Sequence, residues 1–241
     1  MKVIITENYD EMSQKAFEIV KEVVVQNPNA VLGLATGSTP IGLYDLMVND
    51  YEKNGTSYKN VSSVNLDEYV GLTAEHDQSY AYFMSKHLFD RVDIDKANTR
   101  LPNGVAPDLG LECDQYNAML ATKKQDVQIL GIGSNGHIGF NEPGTAEDSV
   151  THVVDLTENT IKDNSRLFED ISQVPRQALS MGIANILNAK KIIVMASGEN
   201  KAWAINAMVN GEITSSCPAS YLKNHPDVTV IVDKSAGKLL K

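Results

Sequence analysis

The chain has 241 residues, 42% hydrophobic and 22% charged, enough for a full core and ordinary for a globular protein. Its net charge of -10 and pI near 4.9 exclude a broad nucleic-acid surface, because no segment gathers the Lys and Arg that phosphate neutralisation needs. Two cysteines, Cys113 and Cys217, without a C-x-x-C pair, exclude a disulfide framework, and the lack of any eighteen-residue apolar run excludes a spanning helix.

Short apolar, β-branched runs alternate with amphipathic patterns along the whole chain. Val3–Thr6 reads as a strand, and Asp10–Gln26 has helix spacing at Ala16, Ile19, Val20, Val23 and Val24. A strand is expected at Val31–Ala35, then a helix at Pro40–Tyr51 with proline in its first turn. Val61–Leu66 (strand), Gln78–Phe89 and Leu109–Thr122 (helices) and Asp126–Leu130 (strand) follow. The remainder reads as strand Val150–Leu156, helix Val174–Leu187, strand Lys191–Ala196, helix Asn200–Val209 and strand Val228–Val232. This order predicts a Rossmann-like α/β fold, an open, mostly parallel sheet with helices on both faces. No repeat or linker interrupts residues 1–241, so one domain is expected. The amino terminus runs straight into a strand pattern with no signal-like region, and the expected setting is cytoplasmic.

The densest run of functional residue types is Gly131-Ile132-Gly133-Ser134-Asn135-Gly136-His137-Ile138-Gly139-Phe140-Asn141-Glu142-Pro143-Gly144. It follows a buried-looking strand, where open α/β sheets hold their ligands. Gly131-x-Gly133-x-x-Gly136 is formally a dinucleotide fingerprint, with Asp155 at the end of the next predicted strand. Gly139, Pro143 and Gly144 prevent the helix that this fingerprint needs, so a nucleotide cofactor is not expected. His137 and Glu142 are close enough in sequence for a carboxylate to orient an imidazole, the arrangement of a proton shuttle. No His or Cys lies nearby at ligand spacing, so no metal is expected. His76, His87, His152 and His225 read as surface or loop residues, and Trp203, Met195 and Met208 as core.

Gly33 to Gly42 runs from strand through a glycine-hydroxyl turn into a helix. Thr36, Gly37, Ser38 and Thr39 there could cradle an anion, without the Gly-Lys-Ser/Thr ending of a triphosphate loop. Equally, Ser38 or Thr39 could only cap the helix. Asp67, in Asn65-Leu66-Asp67-Glu68-Tyr69-Val70-Gly71, is either a general base or a solvated loop start; on an extended chain only one of Asp67 and Glu68 can face a given pocket. Arg166 and Lys201 are either further anion contacts or solvated charges.

In order and spacing, Leu34 to Pro40, Asn65 to Leu72, Gly131 to Pro143, Asn164-Ser165-Arg166 and Ser197 to Ala202 resemble the glucosamine-6-phosphate deaminase family over nearly the whole chain. Gly136 to Pro143 is the most specific part. The resemblance implies conversion of glucosamine 6-phosphate and water to fructose 6-phosphate and ammonia, a hydrolase acting on a C–N bond without metal or organic cofactor. It implies that Asp67 moves the proton between C2 and C1 through an enolamine, and that His137, with Glu142 as its partner, opens the ring. It assigns Gly37, Ser38, Thr39, Arg166 and Lys201 to the phosphate. Asn135 stands where many relatives have aspartate, able to orient His137 but not to carry charge. The chain stops at Lys241 and has Thr151-His152-Val153-Val154-Asp155 where allosteric hexameric relatives have basic residues, so hyperbolic kinetics and a monomer or small homo-oligomer are expected. Residues 144–175 could form a lid carrying Arg166. The rival activities are a 6-phosphogluconolactonase, which would not need the Asp67 proton transfer, and a non-catalytic sugar-phosphate sensor; the only partner expected is a small-molecule substrate, with no nucleic acid and no membrane.

Overall fold

The computed structural model describes residues 1–158, 161, 168 and 170–240. Its elements are β1 (Lys2–Thr6), α1 (Tyr9–Gln26), β2 (Val31–Leu34), α2 (Ile41–Asn54), β3 (Ser62–Asn65), β4 (Asp67–Tyr69), α3 (Tyr80–Met84), β5 (Thr99–Arg100), α4 (Leu109–Thr122) and β6 (Val127–Leu130). They continue with β7 (His152–Asp155), β8 (Gln177–Ser180), α5 (Ile183–Leu187), β9 (Ile192–Ala196), α6 (Ala202–Asn210) and β10 (Val228–Asp233).

Among the described residues, seven strands form one sheet in the order β1-β10-β9-β6-β2-β3-β5, every pairing parallel. Parallel strands buried on both faces must be apolar on both, and β9 shows how the chain meets that demand. Ile192, Val194 and Ala196 pack with α4, α5 and α6 residues such as Leu120, Ile186 and Met208. Ile193 and Met195 pack on the other face with α1 and α2 residues such as Met12, Phe17, Leu43 and Met47. The helices thus cover both sheet faces, as the alternating sequence pattern predicts. Helix α1 starts where the Asn8 side chain accepts the Glu11 N–H, and its buried Met12, Ala16, Phe17, Val20 and Val24 lie at helical spacing.

A second, antiparallel sheet, β4-β8-β7, was not predicted. The span Val174–Leu187 is not one helix: Gln177–Ser180 is a strand between β4 and β7, and a short helix begins only after Gly182. Ala178 and Leu179 favour helix intrinsically, but pairing Asp67 with Ser180 and Val153 with Leu179 outweighs that weak preference. The strand expected at Val150–Leu156 is present as β7 but belongs to this small sheet. The helix expected at Gln78–Phe89 is α3 followed by a π-helical turn over Ser85–Phe89. His225 is buried, its ring bonded to the Ala189 carbonyl and the Asp227 N–H, and Trp203 is 55% exposed; both reverse the expectation from sequence. Among the described residues, no helix is long and apolar enough to cross a membrane.

Candidate active site

The carboxyl ends of β9, β6, β2 and β3 stand side by side, and each leads into one of the candidate segments. At about 4.8 Å per strand, the four ends span about 14 Å, the length of a small sugar phosphate with its surrounding contacts. The sheet reverses its winding between β6 and β2: the chain goes from β2 outward to β3, and from β6 the other way to β9 and β10. That switch point opens the crevice in which α/β sheets hold ligands.

From β2 the chain enters Ala35 to Thr39, with Gly37 in the left-handed region at φ 91. The N-cap of α2 is Pro40, and no side chain caps the helix, so Ser38 and Thr39 are not spent on capping. Among the described residues, the N–H groups of Gly37, Ser38 and Thr39 find no acceptor. Together with the positive end of the fourteen-residue α2, they can receive an anion. Sequence reasoning missed what holds this turn. The Tyr9 hydroxyl lies 3.0 Å from the Ser38 carbonyl and 3.1 Å from that of Thr39, and accepts the Gly42 N–H at 2.8 Å. Tyr44, fully buried, donates to the Ala35 carbonyl at 2.6 Å. Replacing Tyr9 with Phe removes the first anchor. We expect KM for a phosphorylated substrate to rise about 5-fold, the loss of about 1 kcal/mol of hydrogen bonding, with kcat changed less than about twofold. Steady-state kinetics check this; a fall in kcat at constant KM would place Tyr9 elsewhere in the reaction. A cleft of about 390 Å³ between α1 and α2, with Tyr9 in its lining, contains none of Asp67, His137 and Glu142. The chemistry follows the strand ends rather than that cleft.

Lys201 follows the turn after β9. There Gly198 has φ 95, and the Asp233 carboxylate accepts from Ser197 Oγ at 2.6 Å and from the Gly198 N–H. The strand that Lys201 follows, β9, stands two strands from β2, so the two turns start about 10 Å apart across β6. Arg166 lies outside the described residues, as does much of the expected lid around it; within that stretch β7 is held in the small sheet.

The central loop after β6 forms no helix, as its glycines and Pro143 predict. The Gly133 N–H donates to the His137 carbonyl at 2.9 Å, closing the chain around the imidazole. His137 Nδ1 lies 3.3 Å from Glu142 Oε1 without hydrogen-bond alignment, an ion pair once the ring is protonated. The imidazole, and secondarily Asn135, hold the Glu142 carboxyl below its ordinary range against the opposing effect of burial. Asn135 makes no hydrogen bond to His137 Nδ1. Its Nδ2 donates to Glu142 Oε2 at 2.7 Å, and its Oδ1 accepts the His137 backbone N–H at 3.1 Å. Deeper in the loop, buried Asn141 donates to the carbonyls of Ile138 and Met181, and Ser180 Oγ accepts the Phe140 N–H. These anchors also escaped sequence reasoning, because their partners lie about 40 residues away.

Asp67 opens β4, opposite Ser180. It is 7% exposed, so it is no solvated loop start. A Cβ on Gly139 would lie 3.9 Å from its Oδ2, which puts the carboxylate against the central loop. Burial first, and the neighbouring Glu68 charge second, push its pKa up to about 8. A carboxylate poised near neutrality is suited to taking and returning a proton. Glu68 faces away: its oxygens accept the N–H groups of Tyr69, Tyr80 and Ala81.

Known proteins resemble the chain over its length. The family model described as glucosamine-6-phosphate isomerases/6-phosphogluconolactonase matches residues 6–231. A glucosamine-6-phosphate deaminase of Thermoanaerobacter pseudethanolicus is 51% identical over 241 residues, covering 100% of this chain and 95% of its own length. One of Clostridium perfringens is 50% identical over 242 residues, covering 100% of both. A solved structure described as a monomeric glucosamine-6-phosphate deaminase superposes with a TM-score of 0.96 at 44% identity, over 99% of this chain and 100% of that one. The 6-phosphogluconolactonase of Trypanosoma brucei shares the fold at a TM-score of 0.79 and 19% identity, over 100% of this chain and 98% of that one. The chain belongs to the glucosamine-6-phosphate isomerase/6-phosphogluconolactonase family.

Proposed function

We propose that this chain is a glucosamine-6-phosphate deaminase, converting glucosamine 6-phosphate and water to fructose 6-phosphate and ammonia. The observation that carries this reading is a buried aspartate, Asp67, set against a loop bearing the His137–Glu142 pair, at the strand ends next to an anion turn. Full-length relatives of that name at about half identity support it.

In this reading the turn at Thr36, Gly37, Ser38 and Thr39 binds the phosphate, assisted by Lys201 and Arg166. His137, oriented by Glu142, takes the proton of the C1 hydroxyl and returns one to the ring oxygen, opening the sugar. Asp67 removes the proton from C2 while the C1 oxygen takes one from the substrate's ammonium, leaving an enolamine, and Asp67 then delivers its proton to C1 to give the imine. Water then adds at C2 and ammonia leaves. The substrate's C2 ammonium supplies Asp67 with a counter-charge, which lowers its pKa on binding and favours the ionised base. Phosphate contacts bind the substrate away from the reacting carbons, so their energy can be used to position C1 and C2. We also propose that the enzyme is cytoplasmic and acts as a monomer; the monomeric deaminase of 44% identity supports the latter.

Product analysis tests the substrate. Equal amounts of ammonium and fructose 6-phosphate from glucosamine 6-phosphate, with slow or no hydrolysis of 6-phosphogluconolactone, are expected. Lactone hydrolysis without ammonium release would assign the chain to the other branch of its family.

Asn135 supplies a second test. Asn135→Asp puts a carboxylate where the amide now donates to Glu142 at 2.7 Å; the two acids repel, and once both are ionised the added negative charge holds the imidazolium more tightly. The pH–rate curve should move upward by about one unit. An unchanged curve would show that Asn135 has no electrical role.

A further inference from the structure

Asp67 and Glu68 are consecutive residues of one strand, both buried, with side chains on opposite faces. Glu68 is 3% exposed, and its three acceptor bonds, 2.8 to 2.9 Å long, go to N–H groups. Two of these, from Tyr80 and Ala81, belong to the first turn of α3, the end where a negative charge is favoured. A cleft of about 270 Å³ beside Glu68 is lined by Leu72, Ala81, Leu101 and Pro102 among others and by no Lys or Arg. Among the described residues Glu68 thus accepts from amide N–H groups only, contacts that favour its charged form against the effect of burial. Behind it, a Cβ at Gly104 would lie 1.9 Å from the Tyr69 carbonyl and 3.5 Å from Glu68 Cγ, so the strand is packed to the limit on that side.

Resting on the reading of Asp67 as the proton carrier, we propose that Glu68 is its positioning residue, clamping the start of α3 onto β4 and placing a buried acid one residue from Asp67 on the opposite face of the strand. The clamp closes an aromatic cluster: Tyr69 and Tyr80 lie 4.7 Å apart and both pack on Phe140 of the central loop, so β4, α3 and the loop share one register. Burial raises the pKa of Glu68 while the three N–H bonds oppose that rise, and its charge is in turn one of the two causes that raise Asp67. Among the described residues, the other titratable groups on the elements packed around Asp67 are Tyr80 of α3, Tyr116 of α4, Tyr69 on its own strand, and His137 and Glu142 on the central loop that Gly139 sets against it. Both Tyr80 and Tyr116 are held above the ordinary tyrosine range and stay neutral through the working pH, so Glu68 is the charge that β4 itself presents to Asp67.

A base must be ionised to act, so kcat/KM rises with pH through the pKa of Asp67. Glu68→Gln removes the charge and should move that rise to lower pH by about one unit, with kcat lowered by the weakened clamp. Glu68→Asp keeps a charge but cannot reach all three N–H groups; kcat should fall while the rise moves less than a third as far. Gly104→Ala changes no charge and disturbs the same packing, and should lower kcat with the rise in place. A rise that stays at the wild-type pH in folded Glu68→Gln overturns the proposal. If that variant does not fold, a rise in Glu68→Asp that moves as far as one whole charge would overturns it instead. Asp67→Asn is the control for the underlying reading: if it still turns over, the assignment of Asp67 has failed; if it is inactive and Glu68→Gln leaves the rise unmoved, only the role of Glu68 has failed.

Discussion

Asp67→Asn is expected to lower kcat for ammonium release about 10³-fold, within the range that loss of a positioned general base costs, and to make the folded protein more stable at high pH. The second effect follows from linkage. In the fold, burial and Glu68 push this carboxyl from 3.8 to about 8, so the native state holds the proton more tightly than the unfolded chain does. Its contribution is fully present below about pH 4 and is lost as pH rises through 8, where the buried group must ionise. By pH 9 that penalty is at most about 6 kcal/mol, reduced by whatever relaxation admits water. An asparagine avoids it. The variant should therefore melt several degrees above wild type at pH 9, at roughly 2–4 °C per kcal/mol for a chain of this size, and close to wild type at pH 4. Paired melting curves at the two pH values check this. A variant that is inactive but destabilised at pH 9 would mean that Asp67 is ionised and well solvated in the fold.

Gly133→Ala is expected to lower kcat about 10²-fold. Gly133 is not in the left-handed region, so an alanine is tolerated by its own backbone. Its methyl, however, would lie 2.3 Å from His137 Cε1 and within 2.5 Å of both ring nitrogens. Backbone cannot move freely there, since the Gly133 N–H is bonded to the His137 carbonyl and its carbonyl accepts the Gly136 N–H. The imidazole must swing away from Glu142, and a displacement of about 1 Å in an acid–base group costs about this factor. Gly131→Ala, two residues earlier, meets nothing within 4 Å and should lose far less. Rates for the two variants side by side make the measurement; equal losses would mean that loop entropy rather than the position of His137 governs the rate.

How much of this was legible in sequence depended on the range of the interactions. The parallel strands announce themselves as apolar runs because burial on both faces leaves no choice of residue, and the central loop is readable because its glycines and Pro143 forbid a helix. The strand at Gln177–Ser180 is not readable, since Ala178 and Leu179 suit a helix and only pairing with β4 and β7 decides the matter. In the site, residue types were visible but contacts were not. Asn135 proves to hold Glu142 rather than the imidazole, and Tyr9 holds a turn 29 and 30 residues away. The choice between anion cradle and helix cap at Ser38 and Thr39 needed the cap itself, which is Pro40.

Turnover of an amino-sugar phosphate at this site requires a proton moved by Asp67. The most direct measurement is ammonium release from glucosamine 6-phosphate by the wild-type chain and by Asp67→Asn, with a chelator present throughout. Release by the wild type that persists with the chelator and falls about 10³-fold in the variant is the result predicted. No release by the wild type, or release that the variant matches, would contradict it.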